Sequence, residues 1–272
     1  MPENPLIGFL GCGRMAAALA GGIIARGFAP ADRVIGAART AETRAAFREA
    51  TGAATSDASG GPAEFAARCD VLVLAVKPHQ IEAALGAIKP SAERLAISVA
   101  AGVPLAKLER WGGDGCRAVR VMPNTPSLVG AGAAGFTRGT RATEDDAAFV
   151  RAMLETVGVA VEVGEEKLDA VTAVSGSGPA YGFLFLEALA DAGVRAGLPR
   201  DQAQTLAAAT LRGAAAMVEQ TGTHPAVLKD RVCSPGGTTI EAVAALDAGG
   251  FRAAVHAAVA AAATRSRAMA GE

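Results

Sequence analysis

The sequence has 272 residues and contains few of the types that mark metal-binding or secreted proteins. Its cysteines have neither C-x-x-C nor zinc-ligand spacing, and its histidines lie far apart along the chain. The cysteines are Cys12, Cys69, Cys116 and Cys233, and the histidines are His79, His224 and His256. These spacings do not support a metal site, and they indicate a reducing compartment.

Charge is also scarce and evenly balanced, with 26 Lys and Arg against 27 Asp and Glu. This balance provides no basic face for nucleic acid and no polybasic patch for a membrane. The first residues lack the basic segment and apolar core of a signal peptide. The apolar stretch at 251–269 is interrupted by one histidine and three arginines, which favours an amphipathic or interface helix over a membrane span. We therefore expect a cytoplasmic protein that binds neither nucleic acid nor membrane.

The first part of the chain alternates short apolar runs with helical stretches. The runs are 6–10, 34–38, 71–76, 95–99, 118–122 and 159–163. This alternation predicts an α/β domain of the Rossmann type, with a doubly wound, mainly parallel sheet. From about Glu165 the pattern changes to long helical segments rich in alanine, at 179–196, 199–220, 238–246 and 251–269. We therefore predict two domains, at 1–164 and 165–272. The second is all-helical, and its small side chains make oligomerisation expected.

The first apolar run leads into GCGRMA, residues 11–16, which is the G-x-G-x-x-A form of the dinucleotide fingerprint. Gly11 permits the tight turn, and Gly13 lets the backbone approach a pyrophosphate. Arg14 and Met15 begin the helix and are further candidate cofactor contacts.

The end of the second run bears on which nucleotide is bound. An NAD site usually carries an acid there for the ribose 2′-hydroxyl, but this chain has Arg39 and Thr40. A guanidinium and a hydroxyl suit a 2′-phosphate, which favours NADP, with NAD as the alternative. The competing interpretation is that Arg39 is merely solvated and Thr40 only caps the next helix.

Ligands of open α/β sheets bind outside the carboxyl ends of the strands. The candidate contacts there are Ala75, Val76, Lys77, Pro78, Ala101 and Asn124. Lys77 can bind a phosphate or ribose, or lie on the surface as many lysines do. Asn124 can orient a nicotinamide or substrate, although turn formation explains Asn between prolines equally well.

A second glycine-rich turn, SPGG at 234–237, precedes the last part of the chain. Thr238 and Glu241 then have the spacing of a capping box, which predicts a helix start. Free N–H groups and the helix dipole would converge there on a small anion. The alternative is an ordinary helix-start turn.

Taken together, these motifs resemble the pyrroline-5-carboxylate reductase family. The matching segments are IGFLGCGRMA, AVKP, SVAAGV, MPNTP, SGSGPAY and HPAVLKDRVCSPGGTTIEA. The resemblance implies a Rossmann domain joined to a helical domain that binds substrate and dimerises, with dimers often assembled into rings. It also implies reduction of the cyclic imine of 1-pyrroline-5-carboxylate to L-proline by NAD(P)H, the last step of proline biosynthesis.

The same resemblance suggests the substrate pocket. It is implied to contain Glu165, Ser234, Gly236, Gly237, Thr238 and Thr239. Thr239 matches the hydroxyl next to the ring nitrogen and is the candidate catalytic residue. A protonated imine is already electrophilic, so binding and alignment can supply most of the catalysis. We expect the two glycine-rich turns to bring nucleotide and imino acid together.

Two rival interpretations remain open. A 3-hydroxyacid dehydrogenase of similar architecture would need a general base, usually a lysine, and residues 175–195 contain neither Lys nor His. A non-catalytic NADP sensor would leave the turn at 234–239 without a purpose.

Overall fold

The computed structural model describes residues 3–58, 61–87 and 94–271. The chain forms two compact units. The sheet unit comprises the residues up to Ser177 together with those from Ala262 onward, and the helical unit comprises Gly178–Ala261.

Within the described ranges, eight strands form one sheet in the order β3-β2-β1-β4-β5-β6-β7-β8. They are β1 (Ile7–Leu10), β2 (Val34–Ala38), β3 (Ala54–Asp57), β4 (Val71–Leu74), β5 (Arg94–Ser98), β6 (Cys116–Met122), β7 (Gly132–Arg138) and β8 (Gly158–Glu162). Neighbouring strands are parallel except at β6 and β7. The predicted mainly parallel, Rossmann-type sheet is confirmed.

Helices cover both faces of this sheet. The α-helices of the sheet unit are α1 (Arg14–Ala25), α2 (Ala41–Thr51), α3 (Pro62–Ala67), α4 (Pro78–Ala87), α5 (Leu105–Gly112), α6 (Glu144–Glu155) and α7 (Leu168–Val171). Because successive strand residues point to opposite faces, β1, β2, β4, β5 and β6 each contribute to two cores. Phe9 and Leu19 belong to one apolar cluster, whereas Leu72 and Ile81 belong to the other.

The structure contains two strands that the apolar pattern did not predict. Strand β3 is short and polar, with the sequence ATSD, and β7 is built largely of small residues. The link from β6 to β7 holds a single 3-10 turn, Thr125–Val129, which is too short for a parallel crossover. The antiparallel pairing of β7 follows from this short link.

The division between the units falls after Ser177, whereas the sequence suggested a boundary after residue 164. The intervening segment packs on the sheet. Leu168 is buried, and a Cβ at Gly135 of β7 would lie 2.6 Å from Val171 Cγ1. The end of the chain returns to the same unit, where Ser266 Oγ donates a hydrogen bond of 2.6 Å to Asp169.

The helical unit has very little core of its own. Its helices are α8 (Gly178–Arg195), α9 (Arg200–Thr221), α10 (Pro225–Val232), α11 (Thr238–Ala248) and the first part of α12 (Phe251–Gly271). Its buried apolar side chains in the described chain are Ala190, Ala203 and Ala207. Phe183 and Leu184 of α8 are instead 65% and 68% exposed. The predicted all-helical character is confirmed; the short α10 was not predicted.

Among the described residues, none of the helices alone has the length and apolar character needed to cross a membrane. One pair bent by 50°, Thr238–Ala248 with Phe251–Met269, meets those criteria by length and composition only.

Candidate functional site

A groove of about 900 Å³ lies in the sheet unit, where β1, β2, β4 and β5 end. Of the predicted cofactor residues, those lining it are Gly11, Gly13, Arg14, Met15, Arg39, Thr40, Ala75, Val76, Lys77, Pro78 and Ala101. Asn124 is not in its lining. The structure therefore brings together residues from four separate strand ends, as expected for a doubly wound sheet.

The turn after β1 is shaped for close approach of a ligand backbone. Gly11 has φ +98°, and a Cβ there would lie 2.6 Å from the Ala75 carbonyl oxygen. Gly13 caps α1, and a Cβ there would meet nothing within 4 Å. Among the residues that the structure describes, no side chain accepts from the first N–H groups of α1 at this cap, which leaves them for an anion. These features fit the pyrophosphate of a dinucleotide.

Cys12 lies within this turn and is buried. Burial raises the pKa of the Cys12 thiol to about 11, and the nearby Arg44 opposes that rise. Cys12 is therefore a neutral thiol at physiological pH, and it adds no negative charge where the phosphates would lie.

The loop after β2 presents Arg39 at the groove. Arg44 Nη1 donates hydrogen bonds of 2.7 Å and 3.0 Å to the carbonyl oxygens of Ala38 and Arg39, and it pairs with Asp57 at 3.3 Å. The Arg39 side chain is exposed and has no ion pair within the described part of the chain. Arg44 thus stiffens the loop and leaves the Arg39 guanidinium available.

Thr40 does cap the next helix, because its Oγ1 accepts from the backbone N–H of Thr43 at 3.3 Å. It also lines the groove, as does Thr43, which the sequence reasoning did not identify. Thr43 lies three residues after the cap Thr40, and residues at this spacing share one face of a helix. This spacing could have predicted that Thr43 lies beside Thr40 at the groove.

The second glycine-rich turn lies in the helical unit. The Gly237 N–H donates to the Ser234 carbonyl at 3.0 Å, and Gly236 between them has φ +66°. Pro235 followed by a glycine of positive φ is typical of a type II turn. The turn therefore needs glycine at 236, whereas a Cβ at Gly237 would lie 2.2 Å from Ser234 Oγ and would require that hydroxyl to rotate away.

The predicted capping box at Thr238 and Glu241 is wrong. The cap of α11 is Gly237, which leaves Thr238 as the first helical residue. A residue already in helical geometry cannot place its hydroxyl on the first-turn N–H groups. No side chain caps α11 within the described residues, so its first N–H groups lack the internal acceptor that a capping box would supply.

Glu165, predicted to lie near the substrate, has partners within the sheet unit. Its Oε1 accepts from the Leu105 N–H at 2.7 Å and from Arg120 Nη1 at 3.0 Å. The Arg120 side chain is only 10% exposed. Glu165 therefore caps α5 and neutralises a buried guanidinium, whatever else it contacts.

We expect Glu165→Ala to lower the free energy of unfolding by about 1–3 kcal/mol, because it leaves a buried cation unpaired and a helix uncapped. Urea denaturation measures this loss. Glu166→Ala is the matched control, since Glu166 is exposed on the same turn. Equal stability of the two variants would remove the structural role of Glu165.

Comparisons with known proteins agree with this arrangement. A family model for pyrroline-5-carboxylate reductase dimerisation matches residues 165–269, and one for coenzyme F420-dependent NADP oxidoreductases matches residues 6–102. The pyrroline-5-carboxylate reductase of Arabidopsis thaliana is 46% identical, over 97% of this chain and 95% of its own length. This chain belongs to the pyrroline-5-carboxylate reductase family. The Escherichia coli reductase is 43% identical over 92% of both chains.

Solved reductases of the family share the fold over nearly the whole chain. The Coxiella burnetii enzyme superposes with a TM-score of 0.91 at 36% identity, covering 98% of this chain and 99% of the other. The Plasmodium falciparum enzyme, solved with NADP bound, has a TM-score of 0.85 at 34% identity, covering 98% and 99%. The resemblance to this reductase family, suggested by the motifs alone, is confirmed.

Across the ranges that the structure describes, no group of three or more His, Cys, Asp or Glu residues is arranged to hold a metal ion.

Proposed function

We propose that this chain reduces the cyclic imine of 1-pyrroline-5-carboxylate to L-proline with NADPH, as the last step of proline biosynthesis. The observation that supports this most strongly is the groove at the carboxyl ends of the strands, where open Gly13 and exposed Arg39 suit a phosphorylated dinucleotide. Membership of the reductase family supports the choice of substrate.

Different residues around the groove would bind different parts of the cofactor. The N–H groups at the start of α1, with Gly11, Gly13, Arg14 and Met15, would hold the pyrophosphate. Arg39 and Thr40 would hold the 2′-phosphate. The remaining contacts would come from Ala75, Val76, Lys77, Pro78 and Ala101. Bound NADPH supplies the hydride.

The turn at 234–239 would bind the imino acid. The N–H groups of Thr238 and Thr239 would hold its carboxylate, because a helix N-terminus favours an anion, whereas the Gly237 N–H, expected from the sequence to join them, is bonded to the Ser234 carbonyl. The Thr239 hydroxyl would accept the N–H of the protonated ring nitrogen and align the imine carbon for hydride addition. Glu165, Ser234 and Gly236 would complete the pocket. Addition of hydride to the carbon moves the C=N electron pair onto nitrogen, which gives the amine of proline.

Arg39→Ala should weaken NADPH binding by roughly tenfold and leave NADH binding nearly unchanged, because only NADPH carries the 2′-phosphate. Fluorescence titration of each nucleotide measures this selectivity. Arg14→Ala is the matched control, since Arg14 lies at the pyrophosphate cradle common to both nucleotides. It should weaken both equally. Equal losses from Arg39→Ala would rule out the 2′-phosphate role.

The helical segment would join two copies of the chain. Residues 1–164 would bind nucleotide, and residues 165–272 would bind substrate and dimerise. The helical unit exposes much apolar surface, including Phe183, Leu206 and Met217, each more than half exposed. Burial of such surface drives stable association. We further propose a homodimer through these helices, with dimers able to form a ring. Light scattering after size exclusion tests this, and a monodisperse monomer would contradict it.

The decisive test of the activity is to mix the protein with NADPH and pyrroline-5-carboxylate and to follow the absorbance of the reduced nicotinamide. The expected result is loss of absorbance with formation of proline. NADPH binding without turnover would instead indicate a nucleotide sensor. Turnover only with NADP and a 3-hydroxyacid would indicate a dehydrogenase.

We propose a cytoplasmic location, which agrees with the buried neutral thiols of Cys12, Cys69 and Cys116.

A further inference from the structure

Asn124 follows β6 and is buried in the sheet unit, with 7% of its surface exposed. Its two side-chain groups have different partners. Nδ2 donates to the Ser175 carbonyl oxygen at 3.0 Å, and Oδ1 accepts from the Ala133 N–H at 2.9 Å. The amide is therefore engaged at both ends and is not directed to the groove lining.

The Ser175 carbonyl has a specific need for such a donor. In an α-helix it would accept from the N–H four residues later, but that residue is Pro179, which has none. The chain here forms a π-helical turn, Thr172–Gly176, in which the Ser177 N–H reaches the Thr172 carbonyl at 2.8 Å. Ser175 is half-buried, where a carbonyl left without a donor is costly, so the Asn124 amide supplies the bond that proline removes.

A second contact holds the same turn. A Cβ at Gly176 would lie 2.8 Å from Met122 Cε, so Met122 packs directly against the backbone at this glycine. Met122 at the end of β6 and Asn124 just after it thus contact the π-helical turn at two adjacent residues, Gly176 and Ser175. The division between the sheet unit and the helical unit lies immediately afterwards, at Ser177 and Gly178. Single-turn π-helical segments are frequent at functional sites.

We infer that Asn124 is a positioning residue for imine reduction: it fixes the π-helical turn from which α8 departs, through the Ser175 carbonyl, and does not bind the nicotinamide. The kinetic part of this inference rests on the proposed function. The imino acid would be bound by residues of the helical unit, whose first helix is α8. A fixed start of α8 would therefore help to align the imine with the hydride, and small misplacements of reacting atoms cost large factors in rate.

Asn124→Asp separates the two bonds, because a carboxylate still accepts from the Ala133 N–H but cannot donate to the Ser175 carbonyl. We expect kcat/KM for pyrroline-5-carboxylate to fall about tenfold while the Kd for NADPH changes by less than about twofold. Hydrogen exchange at the Ser177 amide should accelerate. Pro179→Ala restores a backbone donor, so in that background the same substitution should cost at least about threefold less.

Three results would overturn the inference. One is an NADPH Kd raised as much as kcat/KM falls. Another is unchanged exchange at Ser177, and the third is an equal cost of Asn124→Asp with Pro179 or with alanine. If the aspartate variant does not fold, Asn124→Ser supplies the same measurements with a smaller side chain. The exchange and NADPH binding readouts need no turnover, so they test Asn124 even if the wild-type protein fails to reduce pyrroline-5-carboxylate.

Discussion

Gly13→Ala should fold almost as well as the parent chain and bind NADPH at least about tenfold more weakly. The backbone at Gly13 has φ −75° and ψ −178°, which alanine adopts without strain, and the added Cβ would meet nothing within 4 Å. A Gly-to-Ala change at a helix cap costs about 1 kcal/mol or less. The methyl group would instead occupy the open space where the pyrophosphate must approach the backbone.

Gly11→Ala is the informative partner of that variant, because it should damage the fold itself. Its φ of +98° is strained for any L side chain, and the new Cβ would lie 2.6 Å from the Ala75 oxygen and 2.9 Å from the Val76 nitrogen. Both contacts are with backbone, so no side chain can rotate away. We expect a loss of about 3 kcal/mol or more in unfolding free energy, with NADPH binding abolished.

Thermal unfolding and nucleotide titration of the two variants together distinguish a steric cradle from a structural turn. The expected pattern is near-normal melting with weak binding for Gly13→Ala, and early melting for Gly11→Ala. Tight NADPH binding by Gly13→Ala would mean that no phosphate approaches this backbone. The nucleotide assignment of the groove would then be wrong.

The groove could be predicted from the sequence because its determinants are local. GCGRMA places its turn and helix start within six consecutive residues, and the carboxyl ends of parallel strands meet at one edge of the sheet. Strand β3 lies at the edge of the sheet, and its sequence ATSD has no apolar face. The apolar pattern therefore could not predict it. Its contribution is to place Asp57 beside Arg44.

The partners of individual polar side chains could not be predicted in the same way. Asn124 is hydrogen-bonded to Ser175, and Glu165 to Leu105, although the partners lie far apart in the sequence. Only the fold brings them together. The spacing of Thr238 and Glu241 satisfied the capping-box pattern, yet Gly237 occupies the cap. A short motif can predict that a helix begins nearby. It cannot fix the first helical residue, and a shift of one position decides whether a hydroxyl caps the helix.

Composition predicted that the helical unit would need a second copy to complete its core, because its helices carry few large side chains. Its apolar cluster consists of Ala190, Ala203 and Ala207, with Leu186 and Val194 packed against it. An isolated unit with such a core would be marginal. The sequence alone could not indicate which helix faces associate, because apolar residues lie around several sides of α8 and α9.

Thr239→Ala should lower kcat for imine reduction by about tenfold to a thousandfold, the range seen when one preorganised transition-state hydrogen bond is lost. Thr239 is the second residue of α11, directly after the glycine turn, and is half-buried. Its hydroxyl has no hydrogen-bond partner within the described part of the chain, which leaves it available to the ring nitrogen. The backbone N–H groups that would hold the carboxylate are unchanged by the substitution, so KM should change much less than kcat.

Two variants complete this test. Thr239→Ser keeps the hydroxyl and should retain most of the activity, because only a methyl group is removed. Thr238→Ala removes the neighbouring, exposed hydroxyl and should change kcat little, since Thr238 is expected to contribute its N–H. Steady-state rates with NADPH saturating measure all three. Unchanged turnover in Thr239→Ala would exclude the hydroxyl from the reaction, and an equal loss in Thr239→Ser would assign the effect to packing of the γ-methyl group instead.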